Sequence, residues 1–168
     1  MESADRELKH TEFLAETGTD PRRALAEKLC ADIPIDVCTT AYNMSFEKNV
    51  IRKLAEIYPD LSSHLMNIHN NIQDLMIPFS KKYFYLPEMQ GSYSIKYVLP
   101  ALYPDDPSLD YHNLEGIQKG DQASNAFKNM KTMSPEEVAE TRKNLLAYCK
   151  LDTFAMVKVW EKLIAVNE

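Results

Sequence analysis

The sequence LLAYCKLDTFAMVKVW, residues 145–160, is the segment around which the rest of the chain is organised. It contains no Gly or Pro, and its apolar residues recur at steps of three and four, which predicts a helix. The expected apolar stripe consists of Leu145, Cys149, Met156, Trp160 and Leu163. At about 100° per residue, Asp152 falls within this stripe, and Tyr148 lies one turn before it. A buried carboxylate is costly unless it is paired. Asp152 is therefore either a satisfied core residue or a metal ligand.

A second carboxylate has the same kind of placement earlier in the chain. Ser45 is predicted to cap a helix from Phe46 to about Tyr58, and Glu47 falls inside the apolar arc that includes Phe46. Glu47 also lies in the first turn, where the helix dipole favours a negative charge. It is therefore either an inward-facing ligand or a solvent-tilted residue that stabilises the start of the helix.

The remaining pattern predicts an α/β fold that is mostly helical and has about two parallel strands. Ile35–Tyr42 is β-branched and nearly uncharged, which is typical of a parallel strand buried on both faces. Ile72–Leu75 is expected to form a short second strand. Further helices are expected from Asp20-Pro21 to about Ala31, over 61–68, 95–102 and 121–131, and from the start signal at Ser134 to about Ile164.

Composition limits the domain organisation and the class of protein. The 168 residues are enough for one domain, with 45% hydrophobic and 26% charged residues. We expect residues 1–19 to be irregular and residues 20–168 to form the folded part. No apolar run is long enough to span a membrane, and the first residues do not resemble a signal peptide. Three cysteines in apolar surroundings indicate reduced core residues and a cytoplasmic protein.

Charge and loop composition bear on nucleic-acid binding. The net charge of −6 argues against a protein that wraps duplex nucleic acid through phosphate contacts. It does not exclude an enzyme that holds a few nucleotides through metal ions. Residues 80–93 are rich in aromatic residues and contain Lys81-Lys82, so this loop is either a single-strand binding surface or a packed surface loop.

The acidic residues occur in an order that suits phosphoryl transfer. Asn43 and Glu47 follow the first strand, Asp74 ends the second, and Asp152 lies on the last helix. Carboxylates from a strand end and two helices are what a site with two Mg²⁺ or Mn²⁺ ions requires. A tyrosine one turn before the aspartate, here Tyr148, can hydrogen-bond the attacking water.

At these residues the chain resembles the RNase H-like exonucleases, whose acidic ligands come in three motifs. The second motif, Asn-x-x-Phe-Asp, corresponds to residues 43–47, with Glu47 in place of Asp. The third motif of the tyrosine subclass, Tyr-x-x-x-Asp, corresponds to residues 148–152. Most of the chain, about residues 8–165, is more specifically similar to a bacterial family, domain of unknown function 2779. The stretches that carry this similarity are LKHxxFL at 8–14, DPRR at 20–23, YNxSFE at 42–47, GSYSIKxVLP at 91–100 and YCxxDTxAM at 148–156.

The resemblance implies a metal-dependent 3′–5′ exonuclease acting on single-stranded nucleic-acid ends. Glu47 and Asp152 would bind Mg²⁺ or Mn²⁺, Tyr148 would position water, and Asn43 would orient the loop or the substrate. The implied lesser candidates for substrate contact are Phe46, Asp74 and Lys96, and a solvated surface lysine is the alternative for Lys96.

One element of the superfamily pattern does not occur in this sequence. The first motif, Asp-x-Glu on the first strand, is not found in residues 1–19. We therefore expect a truncated RNase H-like domain with two of the four acidic ligands, which binds metal weakly and is inactive alone. The alternative is a non-catalytic helical interaction domain that binds a protein partner, or itself, through an open sheet edge.

Overall fold

A computed structural model describes residues 8–166 of the chain. The elements in these residues are α1 (Arg22–Asp32), β1 (Thr39–Ala41), α2 (Ser45–Ile57), α3 (Pro59–Asn70), β2 (Ile72–Asp74), α4 (Ile77–Ser80), α5 (Ile95–Leu102), α6 (Gly120–Asn129) and α7 (Pro135–Ala165). Short 3₁₀ turns occur at Pro87–Met89, Pro107–Leu109, Tyr111–Asn113 and Met130–Thr132. The prediction of a mostly helical α/β chain with two parallel strands is confirmed for this region.

The two strands form a small parallel sheet whose carboxyl ends lie together. Thr39 pairs with Ile72, and Ala41 pairs with Asp74. The connection between the strands runs through α2 and α3, as a parallel pair requires a long crossover. Asn43, just after β1, and Asp74, at the end of β2, are therefore brought to the same edge.

The first strand is shorter and more exposed than predicted. Ile35 is 57% exposed, and only Ala41 is buried within β1. The chain is still turning at Asp36, which has a positive φ of 62° and exchanges hydrogen bonds with Asn67. Within residues 8–166, β1 has a strand neighbour on one side only. The predicted burial on both faces is therefore wrong.

Two apolar clusters stabilise the chain. The first packs α1, α2 and α3 against the sheet; its buried residues are Ala26, Ala41, Ile51, Leu54, Ala55, Leu65, Ile68 and Ile72. The second is built on α5 and α7 and takes in the loop between α5 and α6, with Val98, Leu99, Tyr111 and Val159 among its most deeply buried members. The carboxyl edge of the sheet lies beside the second cluster, since Leu75 follows β2 directly and belongs to it.

The long helix α7 begins where predicted but buries a different face. Ser134 and Glu137 form the expected capping box. The buried residues are Leu145, Tyr148, Leu151, Ala155 and Val159, whereas Trp160 is 51% exposed and Cys149 is exposed. The predicted stripe is therefore shifted around the helix because α5 and the α5–α6 loop pack against the side that carries Tyr148.

The N-terminal segment lies against α7 although it has no regular secondary structure. Residues 8–19 contain no helix or strand, and the irregular start expected for residues 1–7 lies outside the described residues. Arg142 of α7 donates hydrogen bonds to the carbonyl oxygens of Leu14 and Ala15, both at 2.9 Å. Leu14 itself packs against the second apolar cluster.

Two further predictions concern the cysteines and the membrane. Cys38 and Cys149 are exposed and Cys30 is half-buried, so the expectation of core cysteines is wrong, although all three are free thiols. Among the described helices, none is both long and apolar enough to cross a membrane.

Candidate functional site

The turn after β1 is built around the carboxylate of Asp74. Its Oδ1 accepts the backbone N–H groups of Asn43 and Met76, both at 2.9 Å, and Oδ2 accepts that of Met44 at 3.2 Å. Asn43 adopts a positive φ of 66°, which asparagine tolerates better than most residues. The helix α2 begins at Ser45 with Met44 in the N-cap position, so the prediction that Ser45 is the cap is wrong. Asp74 therefore has a structural role: its hydrogen bonds to the turn after β1 fix where α2 starts.

Glu47 lies in the first turn of α2 and faces inward. It is half-buried, and its Oε2 is enclosed without a hydrogen-bond partner among the described residues. Burial raises the pKa of Glu47, and the negative charges of Asp74 and Asp152 raise it further. The structure thus brings Asp74 and Asp152, which are far from Glu47 in the sequence, within electrostatic reach of its carboxylate.

Asp152 on α7 is held by two tyrosines. The Tyr111 hydroxyl donates to Asp152 Oδ1 at 2.7 Å, and Tyr148 also donates a hydrogen bond to this carboxylate. Burial raises the pKa of Asp152, while the two hydrogen bonds and the positive charge of Lys96 oppose the increase. Asp152 is therefore not an unpaired core carboxylate.

Tyr148 and Tyr111 pack against each other beneath the carboxylate. Their ring centroids are 6.1 Å apart at an interplanar angle of 61°, an edge-to-face arrangement. Burial, followed by the charge of Asp152, raises the pKa of both phenols above the ordinary value of 10. Both hydroxyls keep their protons at neutral pH and so act as hydrogen-bond donors.

Lys96 at the start of α5 belongs to the same neighbourhood. Its Nζ donates to the carbonyl oxygen of Gln118 at 2.6 Å and lies 5.5 Å from the centroid of the Tyr111 ring. Burial lowers the pKa of Lys96, and Asp152 partly offsets this effect. Lys96 is therefore a half-buried cation beside the site, and its Nζ is bonded to a backbone carbonyl.

Asn43 and Phe46 lie at the exposed rim. Phe46 is 71% exposed, so its predicted place on the apolar face of α2 is wrong. Asn43 also borders an open groove of about 520 Å³ that runs between the turn after β1 and the start of α5. The groove is lined by Tyr42, Asn43, Met76, Ser92, Tyr93, Ser94 and Ile95. Burial, followed by the charge of Asp74, raises the pKa of Tyr42, so this aromatic residue of the groove lies near one of the carboxylates.

The arrangement offers oxygen ligands to a cation but does not enclose one. Within residues 8–166, no group of three or more His, Cys, Asp or Glu side chains is arranged to hold a metal ion. Asp74 is occupied by three backbone N–H groups, which leaves Glu47 and Asp152 as the available acidic donors. Carboxylate oxygens are the donors that Mg²⁺ and Mn²⁺ prefer.

A comparison with protein families finds a match to the first part of the chain. The family model described as domain of unknown function 2779 matches residues 1–94, more than half of the chain. The chain belongs to this family. Asn43, Glu47 and Asp74 lie within the residues that the family model matches, whereas Lys96 and Asp152 lie beyond them.

One curated relative extends the similarity, and it carries no described activity. The uncharacterized protein UU173 of Ureaplasma parvum serovar 3 is 26% identical over 133 residues, which cover 70% of this chain and 19% of that protein. The chain thus spans about a fifth of the length of this relative. No solved structure matches the chain.

In this member of the domain of unknown function 2779 family, the sequence pattern does not reveal two of the residues that lie at the candidate site. Tyr111 and Gln118 lie in the Pro- and Gly-containing segment between α5 and α6, where no periodicity indicates which side chains turn inward. The one available signal in the sequence is Asp110, because an aspartate often accepts the backbone N–H two residues later and so predicts a local turn. In the structure its carboxylate accepts the N–H of His112, and the turn begins at Tyr111.

Proposed function

We propose that this chain supplies part of a metal-dependent 3′–5′ exonuclease site of the RNase H-like type, and that it is inactive alone. Glu47 and Asp152 would be two of the acidic ligands, and nucleic acid with a single-stranded end would be the substrate. The observation that carries the proposal is the buried Glu47 Oε2, which has no partner among the described residues and faces the charges of Asp74 and Asp152.

The donor set fits a hard divalent cation better than it fits a core ion pair. Two half-buried carboxylates of like charge destabilise each other unless a cation or a proton compensates. The charge of Lys96 acts on Asp152, but the Nζ of Lys96 is hydrogen-bonded to the carbonyl oxygen of Gln118. A bound Mg²⁺ or Mn²⁺ ion would stabilise negative charge at a phosphodiester and lower the pKa of a bound water.

The chain's own residues have separable tasks in this proposal. Tyr148 stays protonated, and its hydroxyl is a hydrogen-bond donor to Asp152. The oxygen of the same hydroxyl can accept a hydrogen bond from a neighbouring water and so orient it. Asn43 and the exposed Phe46 lie at the rim, where a base could stack and the terminal nucleotide could be oriented. Lys96 supplies positive charge near the place where a phosphate would lie.

Mn²⁺ binding tests the ligand assignment directly. A ligand that binds only the folded state raises the melting temperature, so millimolar Mn²⁺ should stabilise the unaltered chain. Glu47→Gln and Asp152→Asn remove one charge each with little change in shape and should abolish the shift. Glu140→Gln, on the exposed side of α7, is the matched control and should leave it intact. No Mn²⁺ effect on the unaltered chain would refute the assignment.

The activity itself is tested on the protein as its natural gene encodes it. With Mn²⁺, that form should shorten a 5′-labelled single-stranded oligonucleotide from its 3′ end, and Asp152→Asn should remove this activity. If the Asp152→Asn variant still shortened the oligonucleotide, the nuclease activity would come from a contaminant or from another site.

The open edge of the sheet favours a second candidate function. Within residues 8–166, β1 has no strand neighbour on the side away from β2, and Thr40 is exposed there. Such an edge can pair with another chain. A non-catalytic interaction domain would show concentration-dependent self-association, or capture of a partner strand, without any response to Mn²⁺.

A further inference from the structure

Tyr111 reaches the candidate site from a loop that is distant in sequence. It begins the 3₁₀ turn Tyr111–Asn113 between α5 and α6, and its side chain is 1% exposed. Its hydroxyl donates to Asp152 Oδ1 at 2.7 Å. A buried phenol needs a hydrogen-bond partner, and here the partner is a carboxylate of the site.

The ring of Tyr111 is fixed from several sides. Tyr148 packs edge-to-face against it, and the Lys96 ammonium lies 5.5 Å from its centroid. Lys96 is itself held by the carbonyl of Gln118, near the end of the same loop. At the turn, Asp110 accepts the backbone N–H of His112 at 3.0 Å. Tyr111 therefore has little freedom to move away from Asp152.

Tyr103, which directly follows α5, makes a corresponding bond to α7, but its acceptor is a backbone carbonyl and not a carboxylate. The Tyr103 hydroxyl donates to the backbone carbonyl of Lys158 at 2.9 Å, so it also joins the α5–α6 segment to α7. The two tyrosines make similar structural contacts, but only the bond of Tyr111 restrains a side chain that could bind an ion.

We propose that Tyr111 is a positioning residue that fixes the orientation of the Asp152 carboxylate for cation binding. This inference rests on the proposed function. A carboxylate with one oxygen bonded to a rigid donor cannot rotate freely about its Cβ–Cγ bond. Ion binding then costs less conformational entropy, because this rotation is already restricted in the free protein. Hydrogen bonds from outside the ligand set commonly change metal affinity by about 10- to 100-fold.

The test compares Tyr111→Phe with Tyr103→Phe by titrating Mn²⁺ and measuring the free ion by electron paramagnetic resonance. Near-ultraviolet circular dichroism establishes that each variant is folded. We expect Tyr111→Phe to weaken Mn²⁺ binding by at least about tenfold, or to remove it, and Tyr103→Phe to leave it unchanged.

The outcomes separate this inference from the proposed function. If the unaltered chain binds Mn²⁺ and Asp152→Asn does not, but Tyr111→Phe retains full affinity, the positioning role is overturned and the proposed function stands. Equal losses in Tyr111→Phe and Tyr103→Phe would also overturn it, because they would indicate a general structural effect. No binding by the unaltered chain overturns both.

A second variant serves if Tyr111→Phe does not fold. Asp110→Ala removes the acceptor of the His112 backbone N–H and so loosens the turn, while the side chain of Tyr111 stays unaltered. It should also weaken Mn²⁺ binding, and unchanged affinity would contradict the positioning role.

Discussion

The carboxylate of Asp74, the last residue of β2, accepts the backbone N–H of Asn43, just beyond β1, at 2.9 Å. The same carboxylate accepts the N–H groups of Met44 and Met76. One side chain therefore closes the turns that follow both strands. Because Met44 directly precedes α2, this bond also determines where Glu47, in the first turn of the helix, is placed.

Removing the Asp74 carboxylate should destabilise the fold. Asp74→Ala leaves three backbone N–H groups without their acceptor, and hydrogen bonds to charged groups contribute roughly 1.5–3 kcal/mol each. Since the turn can partly relax and admit water, we expect a net loss of about 2–4 kcal/mol in the free energy of unfolding. Urea denaturation measures this quantity.

The control for this prediction is Asp105→Ala, at an exposed position in the segment after α5. It should change the free energy of unfolding by no more than about 0.5 kcal/mol. If Asp74→Ala were as mild as this control, the turns would not depend on the carboxylate.

The raised pKa of Glu47 predicts an unusual dependence of stability on pH. Its folded-state pKa lies above the ordinary value of 4.5, so the folded chain binds the proton more tightly than the unfolded chain. At neutral pH the ionised group opposes folding. This penalty disappears as the pH falls through the raised pKa and then below 4.5, where Glu47 is protonated in both states.

Glu47→Gln should therefore melt at a higher temperature than the unaltered chain at neutral pH, without metal. The difference should shrink as the pH is lowered toward the ordinary glutamate value. Melting curves at a series of pH values measure this difference, and Glu140→Gln on the exposed side of α7 should show no such trend. A pH-independent difference, or a less stable Glu47→Gln variant, would contradict the burial of an ionised Glu47.

The sequence predicts those features that depend on local chemistry. The start of α7 was predictable because Ser134 and Glu137 satisfy each other's backbone N–H groups within one turn. The buried face of α7 was not, because Tyr111 and the rest of the α5–α6 loop select it through tertiary contacts. The length of β1 was overestimated for a related reason. β-branched residues favour a strand, but the length of a strand also depends on how far a neighbouring strand pairs with it, and β2 pairs with Thr39–Ala41 only.

The same distinction applies to the candidate site. Residue type and helical spacing pointed to Glu47 and Asp152, and the structure brings their charges within mutual influence. Tyr111 has no helical spacing that would reveal it. Its role depends on the path of an irregular loop, which sequence periodicity does not encode.

The capping box of α7 gives a prediction of defined size. Ser134→Ala removes the acceptor of the Glu137 N–H, a bond of 3.3 Å, and should destabilise the protein by about 1 kcal/mol. Ser124→Ala, at an exposed position inside α6, should be neutral or slightly stabilising because alanine is the better helix former. Urea denaturation measures the free energy of unfolding of both variants. A loss in Ser134→Ala alone is due to the cap, whereas equal losses in both would be due to the removal of a serine hydroxyl.

Arg142 attaches the N-terminal segment to α7, and its removal should release that segment without unfolding the core. The guanidinium donates to the carbonyls of Leu14 and Ala15, at 2.9 Å each, and its pairing with the exposed Glu16 adds little. Arg142→Ala removes both backbone contacts. Because about 1.4 kcal/mol corresponds to a factor of ten, the loss of two charge-assisted bonds should accelerate local opening by at least about tenfold.

Hydrogen–deuterium exchange followed by mass spectrometry measures this opening peptide by peptide. Peptides that cover residues 8–16 should exchange faster in Arg142→Ala, while peptides from α5 should not change. Lys143→Ala, at the next position and exposed, is the matched control and should behave like the unaltered chain. Equal exchange of the N-terminal peptides in all three proteins would mean that Leu14 holds the segment by apolar packing alone.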